Sequence, residues 1–342
     1  MELAGVPGFF CPSTVLLVDD NHRFLRHISL QLAAPIQSKL FNDSEGALVY
    51  LSHLKNSVTA PAVYPCMVAD VASSTCVGNR YSMNCDLSAI HKIVYNNDRF
   101  KMVSVAVIDY AMPKMNGLAF CRRLKDTPIK KIMLTGEADH QVAVEAFNEG
   151  LIDQFILKSS PNLNQQLNDG IVAMQQRYFL NLTQNITHSL LSEPTYCLKD
   201  PKVVEIFRAL CKQHEIVEYY LLDTSGTVLL LDIFGHPSWF VVRSCPELAI
   251  YADFAQEDGL SETLCRALKV GEQIPFFPNM EIESSKWLSY LHPASTIESE
   301  QESYYYAFLN ESDIGKTNLH LEESLSYANH LQHQTLSSAL MA

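Results

Sequence analysis

Five polar residues each stand directly behind a short apolar run, and their chemistries are complementary. Asp19 and Asp20 follow Thr14-Val15-Leu16-Leu17-Val18, Asp109 follows the run from Val103 to Ile108, Thr135 closes the run from Lys131 to Leu134, and Lys158 follows the run from Gln154 to Leu157. β-rich runs of this kind read as strands buried on both faces of a parallel sheet, so each polar residue falls at a strand's carboxyl end. Ligands of open parallel sheets bind beyond that edge. Any one of the five could be an ordinary turn or cap residue, but three carboxylates, a hydroxyl and an ammonium converging on one edge read as a site. Three carboxylates pressed together repel, so the cluster needs a compensating cation, and an all-oxygen donor set suits Mg²⁺. A carboxylate such as Asp109 can also act as a nucleophile, while Lys158 and the metal neutralise charge on a group in transfer.

The elements between these residues must carry them to one edge. After Asn21, apolar residues at Phe24, Leu25, Ile28 and Leu32 keep helical spacing until Pro35, and a second strand near Lys39–Phe41 precedes a helix from about Ser44 to Leu54. From about 55 to 102 the period is lost until Leu87–Val94, among Pro61, Pro65, Gly78 and several serines. That stretch reads as a long insertion holding one helix. Helices over Leu118–Lys125 and Gln141–Glu149 then alternate with the remaining strands, giving five βα units. Such alternation implies parallel pairing through right-handed crossovers: an α/β, flavodoxin-like, doubly wound five-stranded sheet with an insertion after its second βα unit. With the insertion, Asp20 and Asp109 are separated by 89 positions. The insertion is expected to extrude beside the third strand without parting the acids.

The chain's 342 residues exceed one ordinary core, so two domains are expected, with 13–160 as the first. No apolar run approaches the ~18–20 residues of a membrane span. The start, MELAGVPGFFCPST, has no basic n-region, and a cytoplasmic location is expected. Nine cysteines without a CxxC pair read as free thiols. Cys66, Cys76, Cys85 and His91 hold donors that zinc accepts, but at a spacing far looser than that of zinc modules.

Leu163, Leu167, Ile171, Met174, Tyr178, Leu182, Ile186 and Leu190 form one apolar stripe, which predicts a long connector helix over 161–192. It either covers both domains or joins two copies in a dimer. Residues 193–342 change character: predicted strands over Ile216–Asp223, Thr227–Asp232, Ser238–Arg243 and Tyr304–Asn310 mix with helices near 201–213, 246–256 and 261–270, a smaller α+β domain. Residues 1–190 carry 16 basic and 16 acidic side chains, whereas 191–342 carry 9 and 22, so the whole excess of negative charge lies in the second half. That disfavours sequence-independent contact with nucleic-acid phosphates there. His292-Pro293, Trp239 and Trp287 could line a pocket, although aromatics so spaced are more often core.

In order and position, VLLVDDN, VAVIDYAMPKMNG, IMLTGEA and FILK resemble the receiver domain of two-component response regulators. VYNNDRF and YLHPA further resemble a subgroup with an enlarged receiver, the LqsR-type quorum-sensing regulators, and EYYLLDTSGTVLLLD resembles a PAS-type sensor core. The resemblance implies that Asp109 takes a phosphoryl group from a histidine kinase. It implies that Asp20, Asp109 and the backbone carbonyl of Ala111 hold Mg²⁺ directly, and that Asp19 holds it largely through water. It makes Lys158 and Thr135 partners of the phosphoryl group and Thr135 with Phe155 a switch pair, where plain core packing is the other reading of Phe155. Two departures stand out: Ser159 replaces the proline that commonly follows the lysine, and the insertion is long.

The function so implied is a phosphorelay signalling protein rather than an enzyme, with a phosphorylation-dependent homodimer or a conformational change reaching a non-standard output domain. Two other readings remain: an output domain that binds nucleotide or nucleic acid, and a metal-dependent phosphatase using Asp109. Phosphatases of that chemistry place a second acid two residues after the nucleophile, where this chain has Ala111. No Walker A loop and no helix-turn-helix pattern is found in the sequence.

Overall fold

The computed structural model describes residues 5–57, 87–136, 139–191, 196–278, 286–300, 302–314 and 319–340. By its internal contacts the chain divides into two units, one of Cys11–Met67 with Asp98–Gln184 and one of Met1–Phe10, Val68–Asn97 and Asn185–Ala342. The first strand, Phe9–Phe10 (β1), belongs to the second unit.

The first unit runs Thr14–Val18 (β2), His22–Gln31 (α1), Gln37–Phe41 (β3) and Ser44–Ser57 (α2). The short helix Ser88–Ile93 (α3) groups with the second unit. The first unit resumes with Val103–Asp109 (β4), Gly117–Arg123 (α4), Lys130–Thr135 (β5), His140–Asn148 (α5), Gln154–Leu157 (β6) and Leu163–Leu182 (α6). Its five strands pair in parallel in the order β3-β2-β4-β5-β6, the doubly wound arrangement expected from the alternation.

Side-chain alternation explains why β2, β4 and β5 are apolar nearly throughout. Leu16, Val18, Ala106, Ile108 and Met133 face one core with Ala47 and Leu51 of α2, Phe120 and Cys121 of α4, and Ala143 and Ala146 of α5. Val15, Leu17, Val105, Val107, Ile132 and Leu134 face the other with Leu25 and Ile28 of α1 and Leu167, Ile171 and Met174 of α6. A sheet covered on both sides leaves its strand ends as the place where polar side chains reach a shared edge.

The single helix expected over 161–192 is two. α6 ends at Leu182 and Gln184–Leu191 (α7) follows, with Thr183 between them. The Thr183 hydroxyl donates to the Phe179 carbonyl four residues back at 2.9 Å, a back-bond that bends helices.

The second unit adds Pro201–Gln213 (α8), Ile216–Leu221 (β7), Val228–Asp232 (β8), Pro237–Ser244 (β9), Cys245–Glu257 (α9) and Glu262–Lys269 (α10). Gln273–Pro275 (β10), Trp287–Tyr290 (α11), Leu291–Pro293 (β11), Ser295–Glu298 (β12), Ser303–Asn310 (β13) and Tyr327–Leu340 (α12) complete it. Six strands form one antiparallel sheet, β1-β7-β8-β9-β13-β12, while β10 and β11 pair separately. The turn after β7 is set by Asp223, whose Oδ1 accepts the N–H groups of Ser225, Gly226 and Thr227 at 3.0, 2.9 and 2.8 Å. Burial opposes the charge on this carboxylate, but the Arg243 guanidinium 3.3 Å away and the N–H donors outweigh it, holding its pKa below the usual value. Trp239 and Trp287 are core residues, the latter donating from its indole nitrogen to Asp258 at 2.7 Å. Among the described residues no helix is long and apolar enough to cross a membrane. Cys66, Cys76 and Cys85 lie outside the described residues.

Candidate functional site

At the carboxyl edge of the parallel sheet, backbone pairing sets each polar side chain. The Asp19 N–H donates to the Phe41 carbonyl at 3.1 Å, one residue past the end of β2, and Asp109 is the last residue of β4. The Lys158 N–H donates to the Thr135 carbonyl at 2.9 Å, which joins the ends of β5 and β6. From there the Lys158 Nζ reaches Asp19 Oδ2 at 2.7 Å and Asp109 Oδ1 at 2.9 Å. Asp19, Asp20 and Asp109 each present an oxygen within 4.8 Å of the others, with Asp19 and Asp109 buried and Asp20 exposed. The insertion therefore does not part the acids.

Opposed oxygens on an octahedral Mg²⁺ with ~2.1 Å bonds stand about 4.2 Å apart, so the cluster's spacing and its all-oxygen chemistry fit that ion. Ala111 lies exposed, two residues beyond Asp109. Thr135 is fully buried, and its hydroxyl donates to the Gly136 carbonyl at 3.1 Å. The half-buried Phe155 ring is engaged by α5, edge-on to His140 at 5.3 Å and to Phe147 at 6.3 Å between centroids.

Burial sets the electrostatics. It pushes the Asp19 carboxyl above its usual value, offset in part by the Lys158 ammonium and the Asn21 N–H and reinforced by the Asp109 charge. Burial also draws the Lys158 ammonium down, but the carboxylates of Asp109 and Asp19 more than compensate, so its pKa rises and it stays charged. A cation beside Asp19 would relieve the desolvation that lifts its carboxyl.

Three further residues hold the site in place. Asn21 Oδ1 accepts the Arg23 and Phe24 N–H groups at 3.1 Å, capping α1, while its own N–H donates to Asp19 Oδ1 at 2.8 Å. The Phe24 ring centroid lies 4.7 Å from the Lys158 ammonium, a cation–π contact. Gly117 opens α4 where the loop closes on β4: its N–H donates to Tyr110 O at 2.9 Å, and a Cβ there would lie 2.4 Å from the Asp109 carbonyl oxygen. The sequence carried faint signals for the first and last, an Asn before a helical run and an Asn-Gly pair closing a loop. Nothing in it pairs Phe24 with Lys158, because that contact depends on β6 lying near α1 in space.

A doubly wound five-stranded parallel sheet with acids and a lysine at its carboxyl edge defines a receiver. In agreement, residues 80–168 match the family model described as the response regulator receiver domain. The solved structure of the Legionella pneumophila response regulator LqsR is 34% identical, covers 97% of this chain and 97% of its own, and superimposes with a TM-score of 0.81. The chain belongs to the response-regulator family and is a two-component response regulator of this build. An adenylate cyclase from Rhodopirellula baltica is 21% identical, covers 52% of this chain and 97% of its own, and has a TM-score of 0.34. A receiver domain from Clostridium thermocellum is 20% identical, with 49% and 98% covered and a TM-score of 0.33. Both likenesses are too slight to argue from. No curated protein matches the chain. The family match begins past Asp19 and Asp20, within the insertion that separates the first two βα units from the rest.

Proposed function

We propose that this regulator accepts a phosphoryl group on Asp109 from a sensor histidine kinase and passes its state to the second unit by conformational change or dimerisation. The observation that carries the reading is the ammonium of Lys158 spanning the buried carboxylates of Asp19 and Asp109, with an Asp20 oxygen in the same cluster. Asp19, Asp20 and Asp109, with the Ala111 carbonyl, would hold Mg²⁺, which when bound supplies positive charge against the phosphoryl oxygens. The Asp109 carboxylate attacks phosphorus, the histidine nitrogen leaves, and an acyl phosphate forms on the side chain. Lys158 neutralises the oxygens that gain charge and turns from Asp109 to the new phosphoryl group.

The added phosphoryl carries about −1.5 to −2 charge units and strong acceptors. The Thr135 hydroxyl, bonded to the Gly136 carbonyl in this structure, is the donor that would redirect toward it. Phe155, held by His140 and Phe147, is the ring whose rearrangement would carry the change to the α5 face. The chain's likeness to the response regulator LqsR supports a role as a phosphoprotein switch rather than an enzyme, which we place in a cytoplasmic quorum-sensing relay. A phosphatase reading lacks the second acid, since Ala111 occupies that position.

Radiolabel transfer from a phosphorylated histidine kinase tests the proposal. Wild type should take up label only with magnesium present, and Asp109→Asn should take up none. Label retained by the variant would remove Asp109 from the role.

A further inference from the structure

The second unit contains a cavity unrelated to the phosphorylation edge. β12 pairs with β13 only along Ser303–Tyr306, where Ser295 stands opposite Tyr306. Beyond that point Ala307, Phe308 and Leu309 have β9 on one side and, among the described residues, no strand on the other. The chain turns away here, the Ala294 N–H donating to the Glu272 carbonyl at 3.2 Å and β11 pairing with β10. The missing strand leaves a cavity of about 500 Å³ beside β13. That volume lies within the ~300–1,000 Å³ of small-molecule sites.

Its walls have distinct chemistries. Leu210 and Pro293 supply apolar surface, with the rings of Tyr306 and Phe308 beside them. Phe308 is backed by His214, stacked at 3.9 Å between centroids and 17° between planes. His292, Ser295 and Asp313 supply the polar groups. His292 is only 7% exposed, and among the described residues its ring has no hydrogen-bond partner. Its ring nitrogens are not among the fully enclosed unpartnered polar atoms of the described residues, so they open on the cavity, where they are available to hydrogen-bond a ligand. Asp313 is fixed by the Asn310 N–H, which donates to its Oδ2 at 2.8 Å, and its carboxylate accepts further N–H donors. Among the described residues no lysine or arginine lines the cavity, and its half of the chain carries 22 acidic against 9 basic side chains. A phosphate-bearing ligand would meet repulsion with no counter-charge.

We propose that this cavity binds an uncharged, flat nitrogen heterocycle with N–H donors, its ring against the aromatic wall and its polar edge on Asp313 and His292. Burial lowers the His292 pKa, although Asp313 opposes this, so the imidazole is neutral and offers one donor and one acceptor. The proposal does not depend on Asp109.

The test is saturation-transfer NMR and thermal-shift titration of the full chain with adenine, with benzimidazole and with adenosine monophosphate as the charged counterpart. Adenine and benzimidazole should bind at millimolar concentration or below, and the monophosphate at least roughly tenfold more weakly. Ser295→Trp, an exposed position whose indole would fill the mouth, should abolish binding, and Asp313→Asn should weaken adenine by roughly tenfold, with unliganded melting unchanged in Ser295→Trp. The proposal is overturned if neither heterocycle gives transfer, if the monophosphate binds as tightly as adenine, or if binding is indifferent to both substitutions.

Discussion

Lys158 spans two buried carboxylates, so its removal has two separable consequences. Without a cation the acids repel in a poorly solvated place, and without the ammonium the phosphoryl oxygens lose one charge partner. Lys158→Ala should therefore slow magnesium-dependent phosphorylation from a small acyl-phosphate donor by about a hundredfold, the scale of one lost transition-state donor. A rate within a few-fold of wild type would show that the lysine is structural only. The raised Asp19 carboxyl makes a second, pH-linked case. A carboxyl raised by folding favours the metal-free folded protein below the ordinary carboxylate range and disfavours it as pH rises through the raised value. Magnesium binds the ionised form, so it should raise the melting temperature most at neutral pH and progressively less toward about pH 5. Melting curves in magnesium and in chelator across that range check the sign. A magnesium effect that grew on acidification would place the ion elsewhere.

At the scale of elements, Gly117 decides how β4 hands Asp109 to its loop. A Cβ there would stand 2.4 Å from backbone, the Asp109 carbonyl oxygen, which cannot swing aside as a side-chain tip can. Gly117→Ala should cost about 1–3 kcal/mol in urea unfolding and also slow phosphorylation, because the loop that shifts is the one carrying Asp109. The neighbouring Asn116→Ala, which removes the side-chain cap on the Ala119 N–H, should cost about 1 kcal/mol with little effect on the rate. Near-normal stability in both would mean that the loop tolerates either closure. Much of this unit was legible in the sequence because its signals are local: an apolar run such as Val103–Ile108 marks a strand, and the acid behind it marks the strand's mouth. What escaped depends on contacts that no local pattern records. The apolar stripe runs on through Ile186 and Leu190, so it conceals the break that the Thr183 hydroxyl marks at the Phe179 carbonyl. β12 buries only Ile297 of its four residues and shows no usable alternation, and β1 has two residues. The roles of Phe24 and His292 arise from neighbours far off in the chain.

For the molecule as a whole, the order of residues along the chain and their grouping in space do not coincide. A cut after the apolar stripe looks natural in the sequence, yet the antiparallel sheet begins with Phe9–Phe10, paired to Tyr219 and Tyr220 and stacked on their rings at 5.5 and 6.4 Å. The segment before β4 is tied to the same unit, since the Ser324 hydroxyl donates to the Val94 carbonyl at 2.6 Å and the Leu325 N–H to the Asn97 side chain at 3.2 Å. A fragment beginning at residue 196 would thus lose an edge strand and the partners of its C-terminal segment. It would expose the outer edge of β7 and aromatic surface at Tyr219 and Tyr220, features that favour strand-to-strand association. Such a fragment should bind a hydrophobic dye and self-associate where the full chain does not, and a peptide spanning residues 5–11 added in excess should lessen both effects. If the fragment instead proved monomeric with the full chain's near-ultraviolet dichroism, the N-terminal strand would be an accessory to a core that the last 150 or so residues complete alone, within the usual domain range of about 50–250.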